Sequence, residues 1–593
     1  MAKERKEIPV VDTWDLTPLY ANQEAWEKTF EIVKKKFWKD IAALKGTLSE
    51  GPEKVKELFN LTFGLEQELM SLYTYAHLRH DEDVAHETHK NGHDRIAALL
   101  HQFSEATAWV EPELLSLPEE TLKKLADSVH LADYKMVLDR IIRLKPHTLS
   151  AKEQQLLALG GRALQVSERA FGAMNNADIK FPSVKDKDGK EHELSHGLYQ
   201  TYLRSSDRIL RENAFKTLHQ TFLNFENTLC ELLSGSVQKH IYYAKAKHYN
   251  SALEAALYPH QIDPAVYVNL IDATHAHLGK LHRFIALRKK LMGLPDLHVY
   301  DLYAPAAAEI EMKFSYDEAV EVTLEAVQPL GPGYCQVLKR GLKDERWIDR
   351  YENNRKRSGA YSSGCYESYP YILLNFQGFL NDVMTLAHEA GHSMHTYFSN
   401  QSQPFHDSHY SIFVAEVAST FNEELVFRHL LASATDKKQR IFLLLQKLDG
   451  IRATFFRQVM FAEFEKQIHE MAEKEIPLTP ATLRKAYREL NALYFGPELT
   501  LDNELEGEFM RVPHFYYDFY VYQYSTGISA AFALVEKVLK EGPRQYLDFL
   551  SAGGSDYPVE VLKKAGVDMC SKEPVAALLE RFDALMDQLE SEL

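Results

Sequence analysis

The stretch His388-Glu389-Ala390-Gly391-His392 places two imidazoles four residues apart, with a carboxylate beside the first. In an α-helix, residues i and i+4 lie on one face, so both histidines can reach a single ion. Neutral imidazole nitrogens bind Zn²⁺ at about 2.0–2.1 Å, and the ion lowers the pKa of its water towards ~7. The stretch therefore predicts the start of a zinc hydrolase site on a helix, with Glu389 as the general base.

The residues on both sides of this stretch favour a buried helix. Asn381 or Asp382 is a suitable N-cap. His395 lies seven residues beyond His388, a helical rise of about 10 Å, which one ion cannot bridge. We therefore assign His395 either to packing or to a contact that supports a ligand from behind. From this stretch alone, a core helix whose two histidines are satisfied by hydrogen bonds stays open as an alternative. The apolar stripe that predicts burial consists of Val383, Leu386, Ala387 and Met394.

A second predicted helix, residues 411–425, offers the third protein ligand that a zinc hydrolase needs. Glu416 and Glu423 are seven residues apart, so they share one face within an apolar run. A carboxylate in such a run needs a partner. We predict Glu416 as the third ligand of one Zn²⁺ per chain, and Glu423 as a group that orients a ligating imidazole. The alternative is that both glutamates are solvated helix residues.

These motifs resemble the thimet oligopeptidase and oligoendopeptidase F family of zinc metallopeptidases, and its bacterial oligoendopeptidase F branch in particular. The resemblance covers roughly residues 200–593 by motif. It implies a mainly α, large helical zincin-type metallopeptidase with a small β-sheet beside the metal helix. It also implies two lobes that enclose a deep substrate channel, which admits short peptides and excludes folded proteins. The matching segments are 358–364, 388–392, 413–423 and 511–527.

The last of these segments is rich in tyrosine. Attack of water on an amide creates an oxyanion, and a donor aimed at that charge typically contributes about 10²–10³ in rate. On a helical projection, His514, Tyr517 and Tyr524 fall within about a quarter turn, and Tyr520 lies at its margin. We predict the first three as catalytic residues and Tyr520 as a substrate-binding residue. The alternative is that these tyrosines are core aromatics with a solvated hydroxyl.

Two strand-like runs, 358–361 and 369–375, precede the metal helix. An edge strand that lies along an extended peptide gives main-chain hydrogen bonds that ignore side-chain identity. Gly359 and Ala360 allow close backbone approach, and together with Tyr361 they are the predicted substrate-binding residues of such an edge. The alternative is that both runs are structural strands that shield the metal helix.

The composition narrows the possible partners. The 593 residues carry a formal net charge of −17, with 45% hydrophobic and 11% aromatic residues, as in a large folded protein. No basic run interleaved with aromatic residues predicts binding to nucleic acid. No stretch approaches the ~18 apolar residues of a membrane span. The charged start and four scattered cysteines lead us to expect a cytoplasmic protein, whose partners are short peptides. The sequence leaves its oligomeric state undetermined.

Most of the sequence has the pattern of amphipathic helices, with a hairpin predicted around residues 188–189. We expect an N-terminal helical lobe, residues 1–195, and a catalytic lobe, residues 196–593. The predicted activity is zinc-dependent endopeptidase cleavage of short oligopeptides by metal-activated water. A carboxypeptidase-type trimming activity on the same site stays open, although the sequence identifies no cationic clamp for a terminal carboxylate. A non-catalytic helical peptide-binding scaffold is the alternative from another class.

Overall fold

The computed structural model describes residues 3–36, 38–307 and 310–593 of the chain. The prediction of a mainly α fold is confirmed, because the chain is 72% helical and its sheets are small. Among the described residues, no helix is both long enough and apolar enough to cross a membrane.

Helices of very different lengths, numbered in chain order, form most of the structure. Those before residue 300 are α1 (Gln23–Lys36), α2 (Trp38–Leu44), α3 (Pro52–Glu82), α4 (Glu87–Thr107), α5 (Val110–Ser116), α6 (Glu119–Ala126), α7 (Lys135–Arg143), α8 (Ala151–Leu164), α9 (Val166–Ala173), α10 (His196–Leu203), α11 (Arg208–Leu223), α12 (Glu226–Ala246), α13 (Ala252–Leu257), α14 (Pro264–Ala276) and α15 (Leu278–Met292). Those after it are α16 (Tyr316–Ala326), α17 (Gly331–Lys339), α18 (Leu380–Ser402), α19 (Phe405–Ser408), α20 (Ile412–Ser433), α21 (Lys437–Ile451), α22 (Arg457–Glu473), α23 (Pro480–Phe495), α24 (Tyr522–Glu541), α25 (Arg544–Ala552), α26 (Pro558–Lys564) and α27 (Glu573–Glu592).

Among the described residues, the strands are short and form three small sheets. The predicted hairpin is confirmed as the antiparallel pair β1 and β2. Strands β3 and β7 are parallel, and the third sheet has the order β4-β6-β5, so β5 lies at an edge. The strands are β1 (Val184–Lys185), β2 (Glu191–His192), β3 (Leu297–His298), β4 (Ile348–Asp349), β5 (Tyr361–Ser363), β6 (Tyr371–Leu373) and β7 (Leu499–Thr500).

The chain folds into two compact units, each assembled from separated segments. The first unit comprises Met1–Thr148, Glu311–Ser433 and Ala530–Asp568. The second comprises Leu149–Ile310, Ala434–Ser529 and Met569–Leu593. The boundary predicted near residue 195 stays a prediction.

In the first unit, the three-stranded sheet is anchored in a core built by the N-terminal helices. Tyr371 and Leu373 of β6 are fully buried among apolar side chains of α1, α3 and α4, including Trp26 and Leu72. Burial of one such side chain contributes roughly 1.5–3 kcal/mol, so β6 is held firmly. The edge strand β5 pairs with β6 in antiparallel register, and this fixes its position beside α18.

The predicted strand before α18 begins later than the sequence suggested. Residues 358–360 precede β5, which starts at Tyr361. Gly359 has φ +87°, a left-handed conformation that interrupts extended backbone. The assignment of Gly359 and Ala360 to the strand itself is therefore wrong, whereas Tyr361 does lie in it.

Helix α18 contains the stretch His388–His392, and it is buried as predicted. It begins at Leu380, earlier than an N-cap at Asn381 or Asp382 would allow. Asp382 instead lies in the first turn, where its carboxylate accepts a hydrogen bond of 2.8 Å from the Phe379 N–H. This contact satisfies a donor that the helix itself leaves unpaired.

Helices α18 and α20 pack against each other at unusually close range. At Gly391, a Cβ atom would lie 2.4 Å from the carbonyl oxygen of Ala418 and 2.6 Å from the Cα of Ser419. Because these are backbone atoms, they cannot swing aside to admit a side chain. The absence of a side chain at residue 391 therefore sets the distance between the two helices.

The tyrosine-rich segment is not one helix, and the helical projection applied to it was wrong. Pro513–Tyr516 forms a single 3₁₀ turn, and α24 begins only at Tyr522. Between them, Asp518 and Phe519 both have positive φ, 51° and 58°. Two consecutive left-handed residues interrupt an α-helix, whose residues all have negative φ.

We predict that Gly391→Ala lowers the free energy of unfolding by about 1–3 kcal/mol, because the added methyl overpacks the contact between α18 and α20. Urea unfolding followed by far-UV circular dichroism measures this change. Gly64→Ala is the matched control, since Gly64 lies inside α3 with nothing within 4 Å of an added Cβ. Equal unfolding midpoints for both variants would contradict the prediction.

Candidate metal centre

Three predicted ligands come together at the interface of α18 and α20. His388 Nε2 lies 3.2 Å from His392 Nε2, and Glu416 Oε2 lies 3.3 Å and 3.5 Å from these two nitrogens. An ion with four bonds of 2.0–2.1 Å in tetrahedral directions has ligand atoms about 3.4 Å apart. The three side chains therefore fit a Zn²⁺ ion in both spacing and donor type.

Two further side chains hold these ligands in place. His388 Nδ1–H donates a hydrogen bond of 2.5 Å to Glu423 Oε1, so Nε2 is the ring nitrogen that faces His392 and Glu416. The Ser419 hydroxyl donates to Glu416 Oε2 at 2.8 Å. Ser419 was not predicted from the sequence, although its place three residues after Glu416 on the same helix was a usable signal.

The imidazoles and carboxylates of the centre shift one another's pKa values. Burial would lower the pKa of His388, but the hydrogen bond to Glu423 and the nearby charges of Glu389 and Glu416 raise it to about 9. Burial would raise the pKa of Glu416, but its contacts with His392 and His388 and the hydrogen bond from Ser419 lower it to about 2. Glu416 is therefore ionised, as a metal-binding carboxylate has to be.

Glu389 lies in a different environment from the other two glutamates. Its side chain is buried, and burial raises the pKa of its carboxyl, which the charges of His388 and His392 partly offset. The backbone N–H of Ser362 in β5 hydrogen-bonds to the same carboxylate. Ser362 is a second residue that was not predicted, because no local pattern connects β5 with α18.

The side chains around Ser362 attach β5 to the rest of the first unit. Its hydroxyl is 2.8 Å from that of Ser393 on α18. The hydroxyl of Tyr361 donates at 2.8 Å to the buried carboxylate of Asp81 on α3. The edge strand is thus fixed on two sides while its outer edge pairs with no other described strand.

His395 lies on the same helix as the ligands but faces the core. Its ring is 1% exposed and stacks on Tyr410 at a centroid distance of 3.6 Å, with Phe549 at 5.1 Å. Burial lowers its pKa to about 3, so the ring is neutral. Packing is one of the two roles that we predicted for His395 from its distance along the helix from His388.

In the second unit, the residues predicted to assist catalysis form one aromatic cluster. The ring of His514 lies 5.7 Å from Tyr517, 6.3 Å from Tyr520 and 6.0 Å from Tyr524, between centroids. The ring centroids of Tyr520 and Tyr524 are 5.5 Å apart. Burial lowers the pKa of His514, which keeps the imidazole neutral with one N–H to donate. The irregular backbone between the 3₁₀ turn and α24 brings these side chains together, rather than a helical face.

We predict that Glu423→Gln weakens zinc binding about 10–100-fold, because a neutral amide orients the His388 ring less firmly than a carboxylate does. Competition with a chromogenic chelator measures the zinc dissociation constant. Glu367→Gln, an exposed position between β5 and β6, is the control and leaves the constant unchanged. An unaltered dissociation constant in Glu423→Gln would refute the orienting role.

Two protein-family models match parts of this chain. The model for peptidase family M3 matches residues 201–581, and a second model, described as oligopeptidase F, matches residues 113–181. Oligopeptidase PepF of Bacillus subtilis (strain 168) is 44% identical over 591 residues, covering 99% of this chain and 88% of that protein.

Two solved structures have closely similar folds. A protein from Chlamydophila abortus is 40% identical, with a TM-score of 0.96 over 100% of both chains. Oligoendopeptidase-F from Enterococcus faecium is 35% identical, with a TM-score of 0.73 over 96% of this chain and 99% of that one. Both similarities extend over nearly the full length of the chain.

Proposed function

Because this chain belongs to peptidase family M3, in its oligoendopeptidase F group, and is therefore a peptide hydrolase, we propose that it is a zinc-dependent endopeptidase that cuts internal bonds of short peptides. The observation that carries the proposal is the convergence of His388, His392 and Glu416 on one point, with the carboxylate of Glu389 beside them.

The three ligands suit zinc because two imidazoles and one carboxylate form a donor set typical of hydrolytic zinc sites with an open fourth position. Zinc would displace the proton that the raised pKa of His388 retains in the absence of the ion. When bound there, zinc would lower the pKa of a water molecule and polarise the scissile carbonyl. His388 and His392 contribute Nε2 and Glu416 contributes Oε2. Glu423 fixes the orientation of the first imidazole.

Glu389 acts as the general base and then as the general acid. Its carboxylate takes a proton from the attacking water and delivers it to the leaving amine nitrogen, so the carboxylate is regenerated when the peptide bond has broken. The raised pKa favours this exchange, because a carboxyl that binds a proton more tightly is a better base. The Ser362 N–H keeps the carboxylate in place.

Strand β5 is the proposed edge that receives the substrate backbone. An extended peptide that adds to an exposed edge makes main-chain hydrogen bonds whatever its side chains are. Tyr361 lies in this strand, and Gly359 and Ala360 lie in the bend before it, where small residues let a second backbone come close. This arrangement supports cleavage of peptides of varied sequence.

The aromatic cluster is the proposed source of hydrogen bonds to the substrate. His514, Tyr517 and Tyr524 each carry a donor suited to the oxyanion or to substrate carbonyls, and Tyr520 borders them. Tyr517 is 47% exposed, which leaves its hydroxyl accessible. The names of the similar proteins, oligopeptidase and oligoendopeptidase, support short peptides as substrates. We propose that folded proteins are not cut.

We predict that Glu389→Gln lowers kcat by at least about 100-fold while zinc content and folding stay unchanged, because the variant keeps the ligands and loses the base. The assay uses peptides of about 6–20 residues with acetylated and amidated ends, followed by mass spectrometry. Blocked ends exclude a carboxypeptidase, and a folded protein added to the same reaction stays intact. Glu367→Gln is again the matched control.

A Glu389→Gln variant with full activity would overturn the proposed base. Failure of the wild-type protein to cut any blocked peptide would overturn endopeptidase action. Cleavage that persists after zinc is removed with a chelator would overturn the metal dependence.

We predict that Tyr517→Phe and Tyr524→Phe each lower kcat/KM about 10²–10³-fold, because each loses one donor to the oxyanion or the substrate. The loss falls mainly on kcat if the hydrogen bond forms in the transition state. Tyr516→Phe is the matched control, since Tyr516 is buried and stacks on Phe171. Wild-type kinetics in both test variants would refute their role.

A further inference from the structure

A second group of metal-binding side chains lies within the second unit. His240 on α12, His469 on α22 and Asp518 in the loop before α24 form what we name the second cluster. His240 Nδ1 is 3.1 Å from His469 Nε2 and 3.6 Å from Asp518 Oδ1. These separations match those among the three ligands of the first centre, 3.2–3.5 Å.

The imidazole of His469 is oriented as a metal-binding histidine is. Its Nδ1–H donates to the backbone carbonyl of Glu465 at 2.8 Å, so its Nε2 carries the lone pair and faces His240. Both rings are buried and nearly parallel, with an interplanar angle of 8°.

A buried carboxyl beside the cluster lacks a counter-charge. Glu465 is fully buried, and its Oε1 accepts a hydrogen bond of 2.7 Å from the Phe519 N–H. Its Oε2 has no hydrogen-bond partner among the described residues. A positive ion held by the cluster would offset the charge of this buried carboxylate.

We propose that His240, His469 and Asp518 bind a divalent transition-metal ion at a structural site separate from the first centre. Two imidazoles and a carboxylate favour zinc among the abundant divalent ions, since calcium and magnesium prefer oxygen ligands alone. A water molecule would complete the coordination. The proposal does not depend on the activity proposed above.

The ion would fasten the loop that carries the aromatic cluster. Asp518 and Phe519 are both held in left-handed conformations, which residues with side chains adopt rarely. Asp518 would be tied to α12 and α22 through the ion, and Phe519 is tied to α22 through Glu465. The loop lies between His514 and Tyr524, so its position sets theirs.

A direct hydrogen bond between the two imidazoles is the competing arrangement. In that case His240 Nδ1–H donates to His469 Nε2, and Asp518 contributes no ligand. The two arrangements differ in the number of ions that one chain holds.

Metal content of the full chain distinguishes them. Protein is equilibrated with zinc, desalted and measured by inductively coupled plasma mass spectrometry. We expect two ions in the wild type and one in the double variant His388→Ala/His392→Ala, which lacks the first centre. In the His469→Gln variant we expect one ion, the one bound at the first centre. One ion in the wild type and none in the folded double variant would overturn the proposal.

Two further variants test whether loss of the second ion can be separated from loss of folding. Asp518→Asn keeps a residue type that tolerates left-handed backbone, and we expect it to weaken the second ion at least about 10-fold with an unchanged circular dichroism spectrum. His219→Gln is the matched control, because His219 is also buried and also donates Nδ1–H to a carbonyl four residues earlier, that of Phe215. We expect it to retain both ions. Two ions of unchanged affinity in both His469→Gln and Asp518→Asn would overturn the site.

Discussion

The first metal centre depends on how closely α18 approaches α20. Gly391 permits this approach, since any side chain there would collide with the backbone at Ala418. One helix can supply two ligands from a single face, His388 and His392, but the third has to come from a neighbour. At Gly391 the backbones of α18 and α20 are in direct contact, with no side chain between them. This short distance between the helices lets Glu416 reach the imidazoles.

The two clusters of imidazoles share one arrangement and differ in their surroundings. In each, a ring nitrogen donates to a fixed acceptor, Glu423 for His388 and the carbonyl of Glu465 for His469. Such a contact selects the tautomer and aims the other nitrogen. The first centre has a carboxylate acceptor and the proposed base Glu389 beside it, which suits a catalytic role. In the second cluster the acceptor is a neutral backbone carbonyl, and Asp518 lies in the loop before α24. This arrangement suits a structural role.

Local spacing was enough to predict the parts of the site that lie on single helices. The spacing of four predicted the pair His388 and His392, and the spacing of seven predicted that Glu416 and Glu423 share a face of α20. The same reasoning failed over residues 514–524, because it assumed a helix. The left-handed residues Asp518 and Phe519 carry no local signal in their sequence, as neither is glycine.

The sequence by itself determined the mainly helical fold, the identity of the imidazole pair and the carboxylate beside it, because these follow from periodicity within one element. Only the tertiary structure decided which residues of distant elements meet. It brought Ser362 to Glu389, and it brought His240 to His469 across 229 positions of chain. Helical periodicity fixes directions within a helix, whereas contacts between helices depend on how side chains of both surfaces pack.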